Sequence, residues 1–325
     1  MLSRDSSLFL VNAFGQNSYP STASDPSTVL RADMYPQYGW MTCRRWVEYV
    51  LPQWVPEGSG LDWDWWLFLE GVRAGFQALV PEVSRTGHAG AAGAHVTGWE
   101  QHSYFNSRIM TQDPRVVLHN LERLVFQSYS VWFEEEIRTA KKLRLLDHPC
   151  HSHIIPPQEK GPFVLFLGVP SRSDENHSFY MMQTCLGTDD QEVKELYEGV
   201  MRLRIRPYSS THPRFRTVKE YIYNTSNFGG YSDSLSTQYG SQVSDEDPQV
   251  LYLVGCPLSK YCKYSLGTSD WIAPTKPILI EAERVVNLRK IEGIQKMQRL
   301  RVSAETLGEE LALNNTKLIL EYTRN

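Results

Sequence analysis

Four short, nearly continuous apolar runs constrain the fold of this 325-residue chain more than any other feature. They are Leu8–Phe14, Ala78–Val83, Pro162–Val169 and Val250–Val254. Runs of this length predict buried strands. Apolar residues at helical spacing lie between them, above all in Trp40–Trp54 and Ser130–Leu146. Alternation of strands with helices predicts an α/β or α+β fold.

Further elements are predicted from weaker patterns. A helix is expected over Pro114–Phe126, and a strand over Arg216–Tyr223. In the helix over Ser130–Leu146, the residues expected to face inward are Val131, Phe133, Ile137 and Leu143. A capping box at Thr188 and Gln191 predicts another helix. Its buried stripe would hold Val193, Leu196, Val200 and Leu203.

A weak domain boundary is expected near Pro156–Gly161, where the pattern of the sequence changes. We therefore expect a first part over residues 1–155 and a smaller α+β part over 156–280. A charged helical tail is expected over 281–325, because a long charged pattern begins at Glu281.

Charge and hydropathy exclude two kinds of partner. The net charge is −4, from 33 Lys and Arg against 37 Asp and Glu, which leaves no basic footprint for nucleic acid. No apolar run approaches the roughly 18–20 residues that cross a bilayer. The chain as given is therefore not expected to be an integral membrane protein.

Five cysteines are too few and too scattered for a disulfide framework or a CxxC zinc site. Cys256 and Cys262 flank a short turn and could form a bridge. An odd number of cysteines leaves at least one thiol free. Cysteine usage alone does not indicate the compartment.

The stretch from Arg31 to His102 carries the chemistry, because it places acids among tryptophans in Asp62-Trp63-Asp64-Trp65-Trp66. An indole face covers the apolar face of a pyranose, while a carboxylate meets its hydroxyls. One carboxylate near an acceptor hydroxyl can serve as a general base.

Other interpretations of this stretch stay open. Acids two residues apart are common at turns and helix starts, where they are structural. Two carboxylates about 5–9 Å apart would also suit a glycosidase. His88, His95 and His102 have a seven-residue spacing that mimics a metal site, but glycines interrupt them, and loop histidines are the simpler interpretation.

Several motifs follow one another along the first half of the chain. It opens with D-S-S-L-F-L-V-N-A-F at Asp5–Phe14 and continues with R-x-D-x-x-P-x-x-G-W, a helix ending at P-x-W, W-D-x-W, and P-E-V-S-R-T before a glycine-rich loop. This order resembles glycosyltransferase family 13, which holds the Golgi N-acetylglucosaminyltransferase I and protein O-mannose N-acetylglucosaminyltransferase enzymes and opens with D-P-S-L-W-C-V-S-A-W. The resemblance is good over Asp5–Leu146 and faint beyond it.

The resemblance implies an inverting enzyme with a nucleotide-diphospho-sugar transferase-like mixed sheet of the GT-A type. Such an enzyme moves N-acetylglucosamine from UDP-N-acetylglucosamine to a mannose of a glycoprotein glycan, in β1,2 linkage. The family's catalytic base falls on Asp64, beside Trp63 as a substrate-binding residue. Val83, Ser84 and Tyr38 fall at the nucleotide-sugar pocket. Arg31 and Asp33 also match the family, either functionally or as a loop ion pair.

Departures from the family are equally informative. The two cysteines that pair in the animal enzymes fall on Leu10 and Ala78, which implies apolar contact in place of the bridge. Phe14 and Ala89 replace family aromatics. The family's E-D-D triplet, which holds Mn²⁺, lies upstream of the matched segment, so Mn²⁺ is implied but no residue of this chain is assigned to it. The expected interpretation is an N-terminally truncated transferase domain.

The resemblance places the full-length protein in the Golgi lumen, with a membrane anchor that this chain lacks. Two alternatives stay open: a non-catalytic carbohydrate-binding homologue, and an O-mannose N-acetylglucosaminyltransferase. An N-glycan mannose is the favoured acceptor.

Overall fold

The computed structural model describes most of the first 273 residues. The residues left out are 20, 34–37, 56, 61, 65, 68–73, 89–104, 106–107, 112, 145–153, 157–158, 170–171, 187–192, 194, 206–247 and 274–325. Of residues 172–177 only the backbone is described. The predicted strand at Arg216–Tyr223, the Thr188 capping box and the helix from Glu281 lie outside the described residues.

The first sheet is mixed and contains four strands. They are β1 (Leu8–Asn12), β2 (Val29–Ala32), β3 (Trp40–Thr42) and β4 (Gln77–Pro81). Their order is β2-β4-β1-β3, in which β1 and β4 are parallel and the two outer strands are antiparallel to their neighbours. The buried strands predicted from the first two apolar runs are confirmed.

Leu10 and Ala78 are direct partners across the parallel pair β1–β4. Both side chains are fully buried. The apolar contact expected between Leu10 and Ala78 is therefore confirmed.

The second sheet is also mixed. Its strands are β5 (Lys141–Lys142), β6 (Phe163–Val169), β7 (Val200–Ile205) and β8 (Gln249–Pro257). The order is β5-β6-β8-β7, with β6 parallel to β5 and β8, and β7 antiparallel to β8. The apolar runs at Pro162–Val169 and Val250–Val254 therefore form the adjacent central strands of this sheet.

The structure gives the bounds of three α-helices. They are α1 (Arg44–Val50), α2 (Phe126–Thr139) and α3 (Arg172–Cys185). The helix predicted over Trp40–Trp54 is confirmed only in its middle. Trp40–Thr42 forms the edge strand β3, and Leu51–Gln53 forms a 3₁₀ turn. None of the helices in the described part of the chain is long and apolar enough to cross a membrane.

Two helix predictions near α2 need correction. Over Pro114–Phe126 the structure has only a 3₁₀ turn, Leu121–Leu124, because Asn120 adopts a left-handed φ of 56° and Val117 is 70% exposed, so no buried stripe forms. Helix α2 begins earlier than predicted, at Phe126, and ends at Thr139. Phe133 and Ile137 face inward as predicted, whereas Val131 is 73% exposed.

The helix predicted after Thr188 is wrong over its second half, where Val200–Ile205 is a strand. Glu195, Glu198 and Gly199 have positive φ, which a continuous α-helix does not allow. All four residues predicted to face inward are buried: Val193, Leu196, Val200 and Leu203. The prediction of burial was therefore correct, but the predicted helical periodicity was wrong.

A shared core joins the two sheets. Leu8 and Leu79 of the first sheet pack with Phe133 of α2 and with Val164 and Tyr252 of the second sheet. The opposite face of the first sheet forms a separate core with α1, in which Trp46 and Trp66 are buried. Trp46 and Trp66 therefore serve as core residues.

Arg31 is a fully buried arginine at the end of the first sheet where β1 begins. Its Nη1 donates to Asp5 Oδ2 at 2.7 Å and to the Leu124 carbonyl at 2.8 Å. Its Nε donates to Gln77 Oε1 at 2.8 Å. The same Asp5 oxygen accepts the Phe126 backbone N–H at the start of α2, at 2.9 Å. Of the two roles open for Arg31, this geometry supports the structural one, with Asp5 rather than Asp33 as the paired acid.

Replacing Asp5 by Ala leaves the Arg31 guanidinium buried without its carboxylate. We expect a loss of about 3–5 kcal/mol in the free energy of unfolding, measured by urea denaturation. Glu48→Ala is the control, because the Arg44–Glu48 pair is exposed and its loss is expected to cost less than about 1 kcal/mol. Equal effects of the two substitutions would contradict the role given to Asp5.

The same pair predicts sensitivity to acid. Burial alone would raise the pKa of Asp5, but hydrogen bonds from Ser7 and Arg31 outweigh it and hold that pKa below its ordinary value of 3.8. A lowered pKa gives stability that is present above the ordinary value and is lost as the pH falls through the lowered one. Stability measured between pH 6 and pH 2 is expected to fall less steeply in Asp5→Ala than in the unmodified chain; identical slopes would contradict this.

Candidate functional site

Three loops meet at one edge of the first sheet. They are residues 13–18 after β1, residues 82–86 after β4, and residues 38–39 before β3, and we call them the edge loops. The Ala13 backbone N–H donates to the Gly39 carbonyl at 2.8 Å, and the Arg85 N–H donates to the Ala13 carbonyl at 2.7 Å. They meet because the carboxyl ends of the parallel strands β1 and β4 lie side by side. Ligands of open α/β sheets bind at such edges.

Ser84, predicted at the sugar pocket, is buried and holds Gly15 in place. Its Oγ accepts the Gly15 N–H at 2.9 Å, and its own N–H donates to Ser18 Oγ at 2.9 Å. A Cβ at Gly15 would lie 2.6 Å from the Pro81 carbonyl oxygen, so this close approach requires glycine. The neighbouring Val83 is also buried, at 5% exposure. Any contact of Val83 or Ser84 with a ligand stays a prediction.

Tyr38 belongs to an aromatic cluster on the edge loops. Its ring contacts Phe14 edge-on at 5.1 Å and Phe105 at 5.0 Å between centroids. His88 stacks on Phe105 at 4.2 Å, so its ring packs against an aromatic face in a loop. The Arg108 guanidinium lies over the Phe14 ring at 5.1 Å. The structure therefore joins Tyr38 to the Ser84 loop; His95 and His102 lie outside the described residues.

Glu82 ties the edge loops to the second sheet. Its carboxylate accepts from Arg202 Nη1 at 3.0 Å and from Arg204 Nε at 2.7 Å, both on β7. It also accepts the backbone N–H groups of Ser24 and Asp25 at 3.0 and 2.9 Å. The Glu82 side chain is 5% exposed, and four donors satisfy it. A buried charge is tolerated only with such compensation.

Glu195 performs a similar role for residues 13–18. It accepts the backbone N–H of Gln16 at 2.6 Å, that of Asn17 at 3.1 Å, and Asn17 Nδ2 at 3.0 Å. From helix α3, Gln183 Nε2 donates to Asn17 Oδ1 at 2.9 Å. The loop after β1 is thus held by side chains that lie more than 160 residues further along the chain.

Asp33 faces the same connection between the sheets. Its backbone N–H donates to the Leu196 carbonyl at 2.6 Å, and its carboxylate accepts from the Glu198 N–H and from Gln77 Nε2. Burial raises the pKa of Asp33 above its ordinary value, although these hydrogen bonds oppose the shift. Asp33 therefore anchors the chain rather than pairing with Arg31 in a loop.

Trp63 and Asp64 lie on a separate short helical turn. The Trp66 N–H donates to the Asp62 carbonyl at 2.9 Å, and Trp66 is buried in the core that contains α1. Trp63 points outward with 47% exposure, and Asp64 is half-buried. Trp65 lies outside the described residues. The proposed base is therefore partly accessible to solvent on a turn anchored in the core.

A metal centre was not predicted from residues of this chain. Among the described residues there is no group of three or more His, Cys, Asp or Glu side chains that could hold a metal ion. These residues therefore do not fit a bound Mn²⁺.

Cys256 and Cys262, which the sequence showed could form a bridge, are joined by a disulfide. Cys185 is also disulfide-bonded, and Cys43 is free. At least one free thiol was expected from the odd number of cysteines.

Several residues that shape the edge loops were not predicted from the sequence. Glu82 was seen only as part of a motif, and Glu195, Gln183 and Arg108 were not singled out. Nothing local marks them, because each acts on a segment distant in the chain. The alternating pattern of Val200–Ile205, with arginines at 202 and 204, is the one sequence signal that could have revealed the strand that supplies Glu82 with its partners.

Comparison with known proteins identifies a family that the first part of this chain matches. Residues 1–152 match the model of the GNT-I family. The family resemblance inferred from the motifs is thereby confirmed for this part of the chain, which contains the edge loops, Trp63 and Asp64.

One curated relative is similar to a shorter stretch of the chain. A 94-residue stretch is 31% identical to the alpha-1,3-mannosyl-glycoprotein 2-beta-N-acetylglucosaminyltransferase of Arabidopsis thaliana. The alignment covers 29% of this chain and 20% of the relative. The chain thus spans about a fifth of the length of this relative.

Replacing Glu195 by Ala tests whether the second part of the chain holds the edge loops. Three donors at Gln16 and Asn17 lose their acceptor, so we expect a loss of about 1–3 kcal/mol in stability and faster hydrogen exchange at those two amides. Glu159→Ala is the control, because its pair with Lys141 is exposed. Unchanged exchange at Gln16 and Asn17 in Glu195→Ala would refute the role.

Proposed function

We propose that this chain carries the catalytic base and the acceptor side of an inverting N-acetylglucosaminyltransferase of the GT-A type. The donor is UDP-N-acetylglucosamine, and the acceptor is a mannose of an N-glycan, which receives the sugar in β1,2 linkage. The observation that carries the proposal is the meeting of the three edge loops at the carboxyl ends of β1 and β4, within the part that matches the GNT-I family.

Asp64 is the general base in this proposal. Its carboxylate is half-buried beside Trp63, where it can meet a hydroxyl that approaches from solvent. The acceptor oxygen forms a bond to the anomeric carbon, the bond from that carbon to the UDP oxygen breaks, and Asp64 takes the hydroxyl proton. A single displacement of this kind needs one base and inverts the anomeric configuration.

The edge loops hold the donor sugar. Gly15 brings the backbone close to Pro81, and the hydroxyl of Ser84 fixes that approach through the Gly15 N–H. Tyr38 presents a partly exposed ring beside the same loops. Tyr38, Val83 and Ser84 are therefore the proposed contacts of the nucleotide sugar, held in place by Glu82 and Glu195.

The Mn²⁺ that the family uses would stabilise negative charge on the departing UDP. Because the described residues offer no suitable cluster, no described residue is assigned to this ion. The Golgi lumen is the proposed location. The Cys256–Cys262 disulfide supports it, because such bonds persist in oxidising compartments.

A second function is favoured by one observation. Trp54 and Trp63 are both more than 40% exposed and lie close together, which suits a carbohydrate-binding module without catalysis. An O-linked mannose is the alternative acceptor for the enzyme. The catalytic proposal and the binding module differ in whether Asp64 takes a proton.

Asp64→Asn separates these functions in a preparation that shows transfer. The amide cannot accept the proton but keeps the shape of the side chain, so we expect at least a ~100-fold loss of transfer with UDP-sugar binding retained. Transfer is followed by radiolabelled N-acetylglucosamine, and binding by calorimetry.

Asp62→Asn is the matched control, because Asp62 lies two residues before Asp64 in the chain and is exposed. We expect its transfer rate to stay within about threefold of the unmodified protein, because it does not act as the base. Near-normal transfer by Asp64→Asn, or an equal loss in both variants, would reject Asp64 as the base.

A further inference from the structure

Two exposed indole rings lie close together and nearly parallel on the first part of the chain. Trp54 is 43% exposed and Trp63 is 47% exposed. Their planes are inclined by only 14°, and their centroids are 6.5 Å apart. Tryptophan normally buries a large apolar area, so two half-exposed, nearly parallel rings together form an unusual surface.

The Trp54 ring is held by the core beneath it, and the Trp63 ring lies against Trp54. Trp66 is 5% exposed, contacts the Trp54 ring at 5.5 Å, and packs with Trp46 of α1. The Trp54 N–H donates to the Leu51 carbonyl, which fixes the chain after the 3₁₀ turn. Rings positioned in this way lose little conformational entropy when a ligand binds.

The chemistry around the rings selects the class of ligand. Asp62 and Asp64 flank Trp63 in the chain, and Asp62 is exposed. Carboxylates accept hydrogen bonds from hydroxyls and repel anions. A neutral sugar offers C–H groups on one face and hydroxyls at its rim, and so matches an indole bordered by carboxylates better than a phosphate or a nucleic acid does.

Tyr49 shows that exposure alone does not create such a surface. This ring is 42% exposed, but it stacks on Trp46 at 5.3 Å and contacts Phe76 at 5.8 Å. Tyr49 therefore serves as an aromatic comparison of equal exposure that packs into the core that contains α1.

We propose that Trp54 and Trp63 form a platform for two consecutive sugar rings of a neutral, mannose-containing oligosaccharide. The proposal rests on the proposed function and extends it: Trp63 receives the mannose beside Asp64, and Trp54 receives the next sugar of the glycan. Binding by this platform needs neither the nucleotide sugar nor a metal ion.

The test is a titration of the 325-residue chain with a free oligosaccharide that ends in α-linked mannose, without UDP-sugar or Mn²⁺. Tryptophan fluorescence and calorimetry report binding. We expect Trp54→Ala to weaken binding of the oligosaccharide about tenfold, with a smaller effect on free mannose, because only the second sugar is lost. Trp54→Phe retains a smaller ring and is expected to fall between the two.

Tyr49→Ala is the control and is expected to bind as the unmodified chain does. Because this titration contains no UDP-sugar and follows no transfer, a failure of the catalytic proposal is distinguished from a failure of the platform. Unchanged affinity in both Trp54 variants would overturn the proposal. Tighter binding of an N-acetylglucosamine oligomer than of the mannose ligand would also overturn it, as would concentration-dependent dimers that Trp54→Ala abolishes.

Discussion

The candidate site depends on two carboxylates, the buried Glu82 and the partly buried Glu195, that join the loops of the first sheet to distant parts of the chain. Glu82 accepts two arginines from β7, and Glu195 accepts two consecutive backbone N–H groups of the loop after β1. The Glu82 interaction lies away from bulk water, where an acceptor removed from its donors costs more than an exposed ion pair does, and the Glu195 interaction is partly buried. The geometry of residues 13–18 and 82–86 thus depends in part on residues beyond the part that matches the GNT-I family.

This dependence changes how the two parts of the chain are understood. The sequence predicted a division at residues 155 and 156, and that division remains a proposal. The core that contains Leu79, Phe133, Val164 and Tyr252 is shared by both sheets, and the Asp33 contacts to Leu196 and Glu198 add to it. The second part therefore supports the candidate site physically, whatever its evolutionary origin.

What the sequence predicts well is local. Buried strands were found from uninterrupted apolar runs, because burial on both faces removes the polar alternation. The Leu10–Ala78 contact also followed from the family comparison, since two positions that lose their cysteines together must still face one another. The tryptophans around Asp64 were singled out because they lie within two residues of it in the chain.

The sequence does not show whether a buried segment is a helix or a strand, and it does not show contacts between residues that are far apart in the chain. Val193, Leu196, Val200 and Leu203 fit a helical stripe, yet positive φ at Glu195, Glu198 and Gly199 turns the chain and leaves the last two in a strand. The first half of helix α3 is polar, so no stripe of apolar residues predicts this helix. Glu195 reaches Gln16 across 179 positions, and no local pattern carries such information.

The central claim is that one base, Asp64, drives a single displacement at the anomeric carbon of the donor sugar. The most direct measurement is the configuration of the first product, followed by proton NMR while an active preparation converts UDP-N-acetylglucosamine and a mannose-terminated acceptor. The account predicts a β-linked N-acetylglucosamine on the mannose 2-hydroxyl from the earliest time point. An α-linked product would require two displacements or another mechanism and would contradict it.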